Sequence, residues 1–167
     1  MLAIPSHARS LAMGEAFVAA ADDLGSLEAN PAGLSHLYAG MLKLQHREWF
    51  QDIRTDQISF GGLAGPIAFG GGVGYTYIED DGVAEIVDNT GAILGKFTPY
   101  NWQIGLAAAY GWKGFVAGGF QVRYFEEDFN LRFDDPSFSK DYRLKSRATV
   151  LDFGLQGGYP KIGLSFG

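Results

Sequence analysis

A chain of 167 residues is long enough for one domain with a sizeable core. Its formal net charge of −6 disfavours nucleic acid as a partner, and the absence of cysteine excludes disulfides and thiolate metal sites. Hydrophobic residues make up 47%, yet no run approaches the ~20 apolar residues of a membrane-spanning helix, so any membrane crossing has to use strands.

The first residues, Met1 to Pro5, carry neither a basic stretch nor a long apolar run, so no secretory signal is visible and the chain is expected to start near a mature end. Residues 6–36 mix short helical and turn signals. Ser10 stands where it would cap a short helix, Leu11, Phe17 and Val18 offer apolar contacts, and Gly14 interrupts the helical period. A small plug and an ordinary amphipathic helix both fit this segment. It ends at Glu28-Ala29-Asn30-Pro31-Ala32-Gly33-Leu34, where Pro31 pushes Asn30 out of the helical region and Gly33 allows a conformation closed to other residues. The local expectation is a rigid corner between residues 1–36 and residues 37–167.

From Leu37 onward the period is two. Strands are expected at Leu37–Arg47, Ile53–Leu63, Ile67–Ile78, Tyr100–Tyr110, Phe115–Phe125 and Arg147–Tyr159, and a seventh begins at Ile162. The clearest sets Tyr100, Trp102, Ile104, Leu106 and Tyr110 against Asn101, Gln103, Gly105, Ala107 and Ala109. Gly65-Pro66, Trp112-Lys113-Gly114 and Pro160-Lys161 read as tight turns, whereas Glu79–Thr98 and Glu126–Lys145 read as long polar loops. Short turns on one rim and long loops on the other are the asymmetry of outer-membrane barrels, with a partial exception in the short connection at Trp49–Gln51. Aromatic residues gather at the strand ends: Tyr38, Tyr110, Trp112, Phe115 and Tyr159 at the turn rim, and Trp49, Tyr75, Tyr77, Tyr100, Trp102, Tyr124 and Phe125 at the loop rim. The expected fold class is all-β, an antiparallel transmembrane β-barrel behind a small amino-terminal segment with short helices. The chain stops inside an alternating run, which points to a fragment of a larger barrel.

The run Ala16-Phe17-Val18-Ala19-Ala20-Ala21-Asp22-Asp23, followed by Asn30-Pro31-Ala32-Gly33-Leu34, resembles the amino-terminal hatch of the FadL and PorV superfamily of bacterial outer-membrane barrels. In that family a glycine-containing A-F-V-A-x-A-D-D segment precedes an N-P-A-G-L corner. Glu28 and Ala29 depart from the pattern, standing where a hydrophobic or aromatic pair is commoner. The resemblance implies a hatch over residues 1–36, with Asn30, Pro31, Ala32 and Gly33 as its motif, and about seven strands of about fourteen over residues 37–167. It also implies residence in the bacterial outer membrane, contact with outer-membrane lipid, and non-enzymatic uptake of hydrophobic compounds such as long-chain fatty acids. The PorV side of the family implies secreted proteins as partners in type IX secretion instead, and a soluble lipid-binding β-barrel is a third reading.

On this parity Lys43, Arg47 and Arg123 point inward, with Asp152 as the opposing strand carboxylate. A ligand with an acidic head would place its carboxylate near these cations; alternatively, they pair with loop acids such as Asp80, Asp81, Glu126 or Glu127. Gly70, Gly71, Gly72 and Gly74 leave the third strand with little side-chain cover. The resemblance implies a kink there that opens a side window, while room for the hatch explains the glycines equally well. Gly163-Leu164-Ser165-Phe166-Gly167 matches G-x-S-x-G in letters but has no partner acid and histidine after it. His7, His36 and His46 show no metal spacing and no phosphate-binding glycine fingerprint is present, so no metal or cofactor is expected, and the resemblance implies a protein that is not an enzyme.

Overall fold

The computed structural model describes residues 7–49, 52–78, 84–87, 89–91, 93–112, 116–133, 142–159 and 164–167. The period-two stretches form strands β1 (Met41–Glu48), β2 (Ile53–Ala64), β3 (Ile67–Ile78), β4 (Ala84–Val87), β5 (Ile93–Trp112), β6 (Val116–Phe133), β7 (Tyr142–Tyr159) and β8 (Leu164–Phe166). They join in one antiparallel sheet of order β1-β2-β3-β5-β6-β7-β8, with β4 pairing β5 off that path. Gly65, at φ +63°, opens the tight turn between β2 and β3. Among the described residues no helix is long and apolar enough to cross a membrane.

The amino-terminal segment holds helix α1 (Ala8–Ala12), helix α2 (Ser26–Ala29) and a 3-10 helix at Pro31–His36. It lies on one face of the sheet, the inner face. Leu24, Leu27, Leu34 and Leu37 pack there on Ala68, Ala107 and Ala109 of β3 and β5, in the main buried apolar cluster. Small residues at inner positions let the leucines approach the sheet closely, and a buried leucine is worth about 2 kcal/mol. Thr55, Gln57, Ser59, Asn101 and Gln121 are also buried on this face.

The outer face is different in kind. Register aligns Leu42, Phe60, Gly71, Leu106, Val122 and Leu151 in one row, flanked on one side by Leu44, Ile58, Val73, Ile104, Tyr124 and Thr149. On the other side stand Phe69, Ala108, Phe120 and Phe153. Most of these large apolar side chains are exposed, Phe153 to 80%. The next row past Leu44 reads His46, Asp56, Tyr75, Trp102, Glu126 and Arg147, so the apolar band has a sharp edge.

Several expectations need correction. β1 starts at Met41 rather than Leu37, because the 3-10 helix runs to His36 and Leu37 is spent in the apolar cluster. The stretch Glu126–Lys145 is not all loop: β6 runs on to Phe133 and β7 starts at Tyr142. Cross-strand partners of opposite charge, Glu126 with Arg147 and Asp128 with Lys145, hold a polar ladder where apolar burial is lacking. Likewise β4 and the first residues of β5 occupy part of Glu79–Thr98. Trp49 and Phe125 do not join an outer girdle, since both line a cavity on the inner side. Tyr124 and Phe125 are consecutive, and neighbours in a strand face opposite ways. Phe115 lies outside the described residues. Ser10 is buried within α1 rather than capping it, the cap position being His7.

Candidate functional site

The corner expected at Asn30 is real, and Asn30 is extended, with φ −161° and ψ 107°. Pro31, which needs no backbone donor, opens the 3-10 helix. The Asn30 side chain ties three pieces of chain together. Its Oδ1 accepts from the Ala32 N–H at 3.1 Å, while its Nδ2 donates to the carbonyls of Leu155 on β7 at 2.9 Å and Val18 at 3.3 Å. Gln156 adds to this, its Nε2 donating to Ala19 at 2.9 Å and Ala21 at 3.0 Å. Gly33 has a different role from the one expected. It does not take a positive φ; a Cβ there would run into the Ala21 carbonyl and stand 2.9 Å from the Ala21 carbon, so it is space that demands glycine.

The socket that receives this corner was not legible in the sequence. Gly119 of β6 and Gly154 of β7 are direct partners across the ladder, and together they make a notch in the inner face. A Cβ on Gly119 would collide with the Ala32 nitrogen and stand 2.7 Å from the Pro31 oxygen, and one on Gly154 would collide with Asn30 Oδ1. Nothing in either strand alone distinguishes these glycines from others; only their pairing does.

A test follows from the two carbonyls that face Asn30. Asn30→Asp keeps the acceptor for Ala32 but sets a carboxylate against Val18 and Leu155. The substitution is expected to destabilise docking of the segment by about 3 kcal/mol, read as faster proteolysis between residues 7 and 36.

Between the amino-terminal segment and the far end of the inner face lies a cavity of about 610 Å³. Its walls include Arg47, Trp49, Arg123 and Phe125 from the sheet, with His7 and Glu28 from the segment. Two cation–ring pairs line it: the Arg47 guanidinium lies 5.5 Å from the Trp49 ring and that of Arg123 lies 5.5 Å from Phe125. Arg123 and Phe125 are two residues apart on β6, which puts both on the same face, and Trp49 follows directly on the end of β1 that carries Arg47.

Of the three inward cations expected in the sequence, the structure brings Arg47 and Arg123 to this cavity, and Lys43 is not among its lining residues. Arg123 donates through Nε at 2.7 Å and Nη2 at 2.9 Å to the two oxygens of Asp152, so its partner is the strand carboxylate. Asp80 and Asp81 lie outside the described residues, Glu126 faces the other way towards Arg147, and Glu127 accepts from Asn101 at 3.4 Å. Arg47 Nη2 reaches the Thr55 hydroxyl at 3.5 Å. The Lys43 ammonium is buried without a hydrogen-bond partner among the described residues, in the field of Glu28 and Asp23. Burial pushes the His7 imidazole below its ordinary value and the Lys43 charge adds to this, while Asp23 at 3.5 Å opposes it. At neutral pH the ring therefore adds no charge to the wall.

The glycines of β3 divide by parity. Gly70 faces the amino-terminal segment, where a Cβ would stand 3.3 Å from Leu34 and 3.4 Å from Leu27, so the absence of a side chain gives that segment room. Gly71 faces out against Leu106, and Gly72 and Gly74 sit beneath Ser59 and Gln103. β3 is paired without a register shift from Ile67 to Ile78 on the β2 side and to Tyr77 on the β5 side. Among the described residues no cluster of His, Asp and Glu side chains is arranged to hold a metal. Chemically, the cavity sets two guanidiniums beside two ring faces, with the carboxylates Glu15, Glu28 and Glu127 also in its wall.

No solved structure matches this chain. A protein of Treponema pallidum (strain Nichols) named UPF0164 protein is 36% identical over 78 residues, which make up 47% of this chain and 18% of that protein. The chain thus matches under a fifth of that relative's length. The model described as Uncharacterised protein family (UPF0164) matches residues 1–156, nearly the whole sequence, and the chain belongs to that family.

Proposed function

We propose that this chain forms the hatch and part of the wall of a bacterial outer-membrane β-barrel that takes up hydrophobic compounds such as long-chain fatty acids, as its resemblance to FadL and PorV implies. The observation that carries the reading is the outer face: contiguous exposed rows of Leu, Ile, Val and Phe that end at a row of charged and aromatic side chains. In water such a surface would exceed what monomers normally leave open. From Val116 to Tyr124 the band on β6 runs about 27 Å along the strand at ~3.4 Å per residue. Tilted by ~40°, it stands about 20 Å tall, near the ~25 Å apolar band of such barrels. Polar residues and the hatch occupy the other face, the sorting that a barrel in lipid requires.

The substrate carboxylate sits by Arg47 and the acyl chain runs along Trp49 and Phe125, all three of which line the cavity. Withdrawal of the Asn30–Ala32 corner from its glycine notch connects the two ends of the lumen. The small side chains of β3 from Gly70 to Gly74 make that strand the one to part from its neighbours for sideways release.

The test is reconstitution of the full chain in vesicles with binding of a fluorescent fatty acid. Arg47→Gln is expected to weaken binding about tenfold, the worth of one charge-assisted hydrogen bond, while binding of the matching fatty alcohol stays unchanged. Recovery of the folded chain in a soluble fraction, or equal loss for acid and alcohol, would sink the proposal.

A further inference from the structure

On β6 and β7, beyond the edge of the apolar band, charged side chains are sorted by depth. Arg147 Nε donates to Glu126 at 2.9 Å, and the Lys145 ammonium lies 3.4 Å from Glu126 and 3.2 Å from Asp128. Arg143 Nε donates to both Asp128 oxygens, at 3.1 and 2.8 Å, and the Tyr100 hydroxyl donates to the same carboxylate at 2.8 Å. The carboxylates form the floor: Asp128 is 0% and Glu126 12% exposed, against 56% for Arg143, 36% for Lys145 and 60% for Arg147. What meets the surroundings is positive. On β1 and β2 the order is reversed, with Glu48 65% exposed and its partner Arg54 28%.

These pairs hold the polar ladder of β6 and β7, and their order in depth has a second consequence: carboxylates beneath fix the cations in place with positive charge turned outward. Among the described residues Arg147 is engaged through Nε alone, which leaves its Nη groups as donors. Arg143, Lys145 and Arg147 alternate along one strand, so they share a face and stand ~7 Å apart from one to the next. Directly along the same strands lie the exposed Val122, Leu151 and Phe153. A ligand matching both parts carries anionic groups at one end and hydrocarbon at the other. Guanidinium forks fit phosphate oxygens in pairs.

We propose that Arg143, Lys145 and Arg147 clamp the headgroup of an anionic phospholipid whose acyl chains lie along Val122, Leu151 and Phe153. The inference rests on the reading of the outer face as lipid-facing, and it assigns a specific lipid site to the β6–β7 part of that face.

Insertion and lipid preference are separable. The full chain is inserted into phosphatidylcholine vesicles containing a minority of phosphatidylglycerol, insertion is scored by protease protection, and the lipid retained after detergent extraction is measured by mass spectrometry. Phosphatidylglycerol is expected to be retained well above its share of the bilayer. Arg147→Gln lowers that enrichment about fivefold, the effect of one cation at a membrane surface. The double variant Asp128→Asn with Arg143→Gln, which leaves no buried charge unpaired, lowers it by a similar factor, whereas Arg54→Gln leaves it unchanged. Inorganic phosphate in excess does not displace the lipid. Normal insertion with enrichment unaffected by the β7 variants, or displacement by inorganic phosphate, overturns the clamp and leaves the membrane reading standing. Failure of the unaltered chain to insert overturns both.

Discussion

Gly119→Val should drive the amino-terminal segment off the sheet. A side chain at this position has nowhere to go: its Cβ would collide with the Ala32 nitrogen and stand 2.7 Å from the Pro31 oxygen, and both are backbone atoms of a corner already held by Asn30. The segment must rise or the ladder between β6 and β7 must bend, at a cost of about 3 kcal/mol. Lifting the corner also uncovers the contact of Leu24, Leu27 and Leu34 with Ala107 and Ala109, so the expected result is release of the whole segment rather than a local shift. Hydrogen exchange of the amides from Phe17 to His36 should speed up by at least ~100-fold, and, on the barrel proposed above, vesicles holding the chain should become leaky to small ions. The neighbour supplies the control. Gly118 faces out, and a Cβ there would meet only Leu155, at 3.8 Å, so Gly118→Val should leave both measurements near those of the unaltered chain. Equal behaviour of the two variants would remove the notch from the account of how the segment is seated.

Leu106→Arg is the sharpest test of what surrounds the outer face. Leu106 is exposed and lies in a middle row of the apolar band, between the rows of Ile104 and Ala108 on the same strand. Facing water, arginine there would be tolerated or would improve solubility, since exposed apolar side chains contribute little to the fold. Facing lipid, it should cost about 2–4 kcal/mol near the bilayer midplane, and denaturant titration in vesicles should show a lowered midpoint. Arginine in place of Trp102, at the edge of the band, should cost about 1 kcal/mol or less by the same depth dependence. A Leu106→Arg chain as stable as its parent would mean that this face meets water.

Much of the wall could be read in advance, and the reason is local. Alternation is a property of extended backbone, so once Tyr100, Trp102, Ile104 and Leu106 share a face, Gln103, Gly105 and Ala107 must take the other. The inward parity of Lys43, Arg47 and Arg123 and the bounds of β3 followed in the same way. The Asn30-Pro31 corner was legible for an equally local cause, the steric effect of a proline ring on the residue before it.

The misses share a cause as well. The polar ends of β6 and β7 look like loop one strand at a time and become a ladder only when Glu126 meets Arg147 and Asp128 meets Lys145. Residue type alone puts Trp49 and Phe125 in a girdle, whereas both line the cavity beside Arg47 and Arg123, Phe125 by its parity with Arg123 on β6.

By itself the sequence determined the all-β character of residues 37–167, the two chemically distinct faces and the bend at Asn30, because each depends on backbone geometry within a few residues. Only the tertiary structure decided that Gly119 and Gly154 would share a notch, that Arg123 would choose Asp152, and that the cavity would open between Arg47 and the amino-terminal segment. Those outcomes depend on register between strands far apart in the chain, and a shift of one residue in register would exchange the faces and undo all of them.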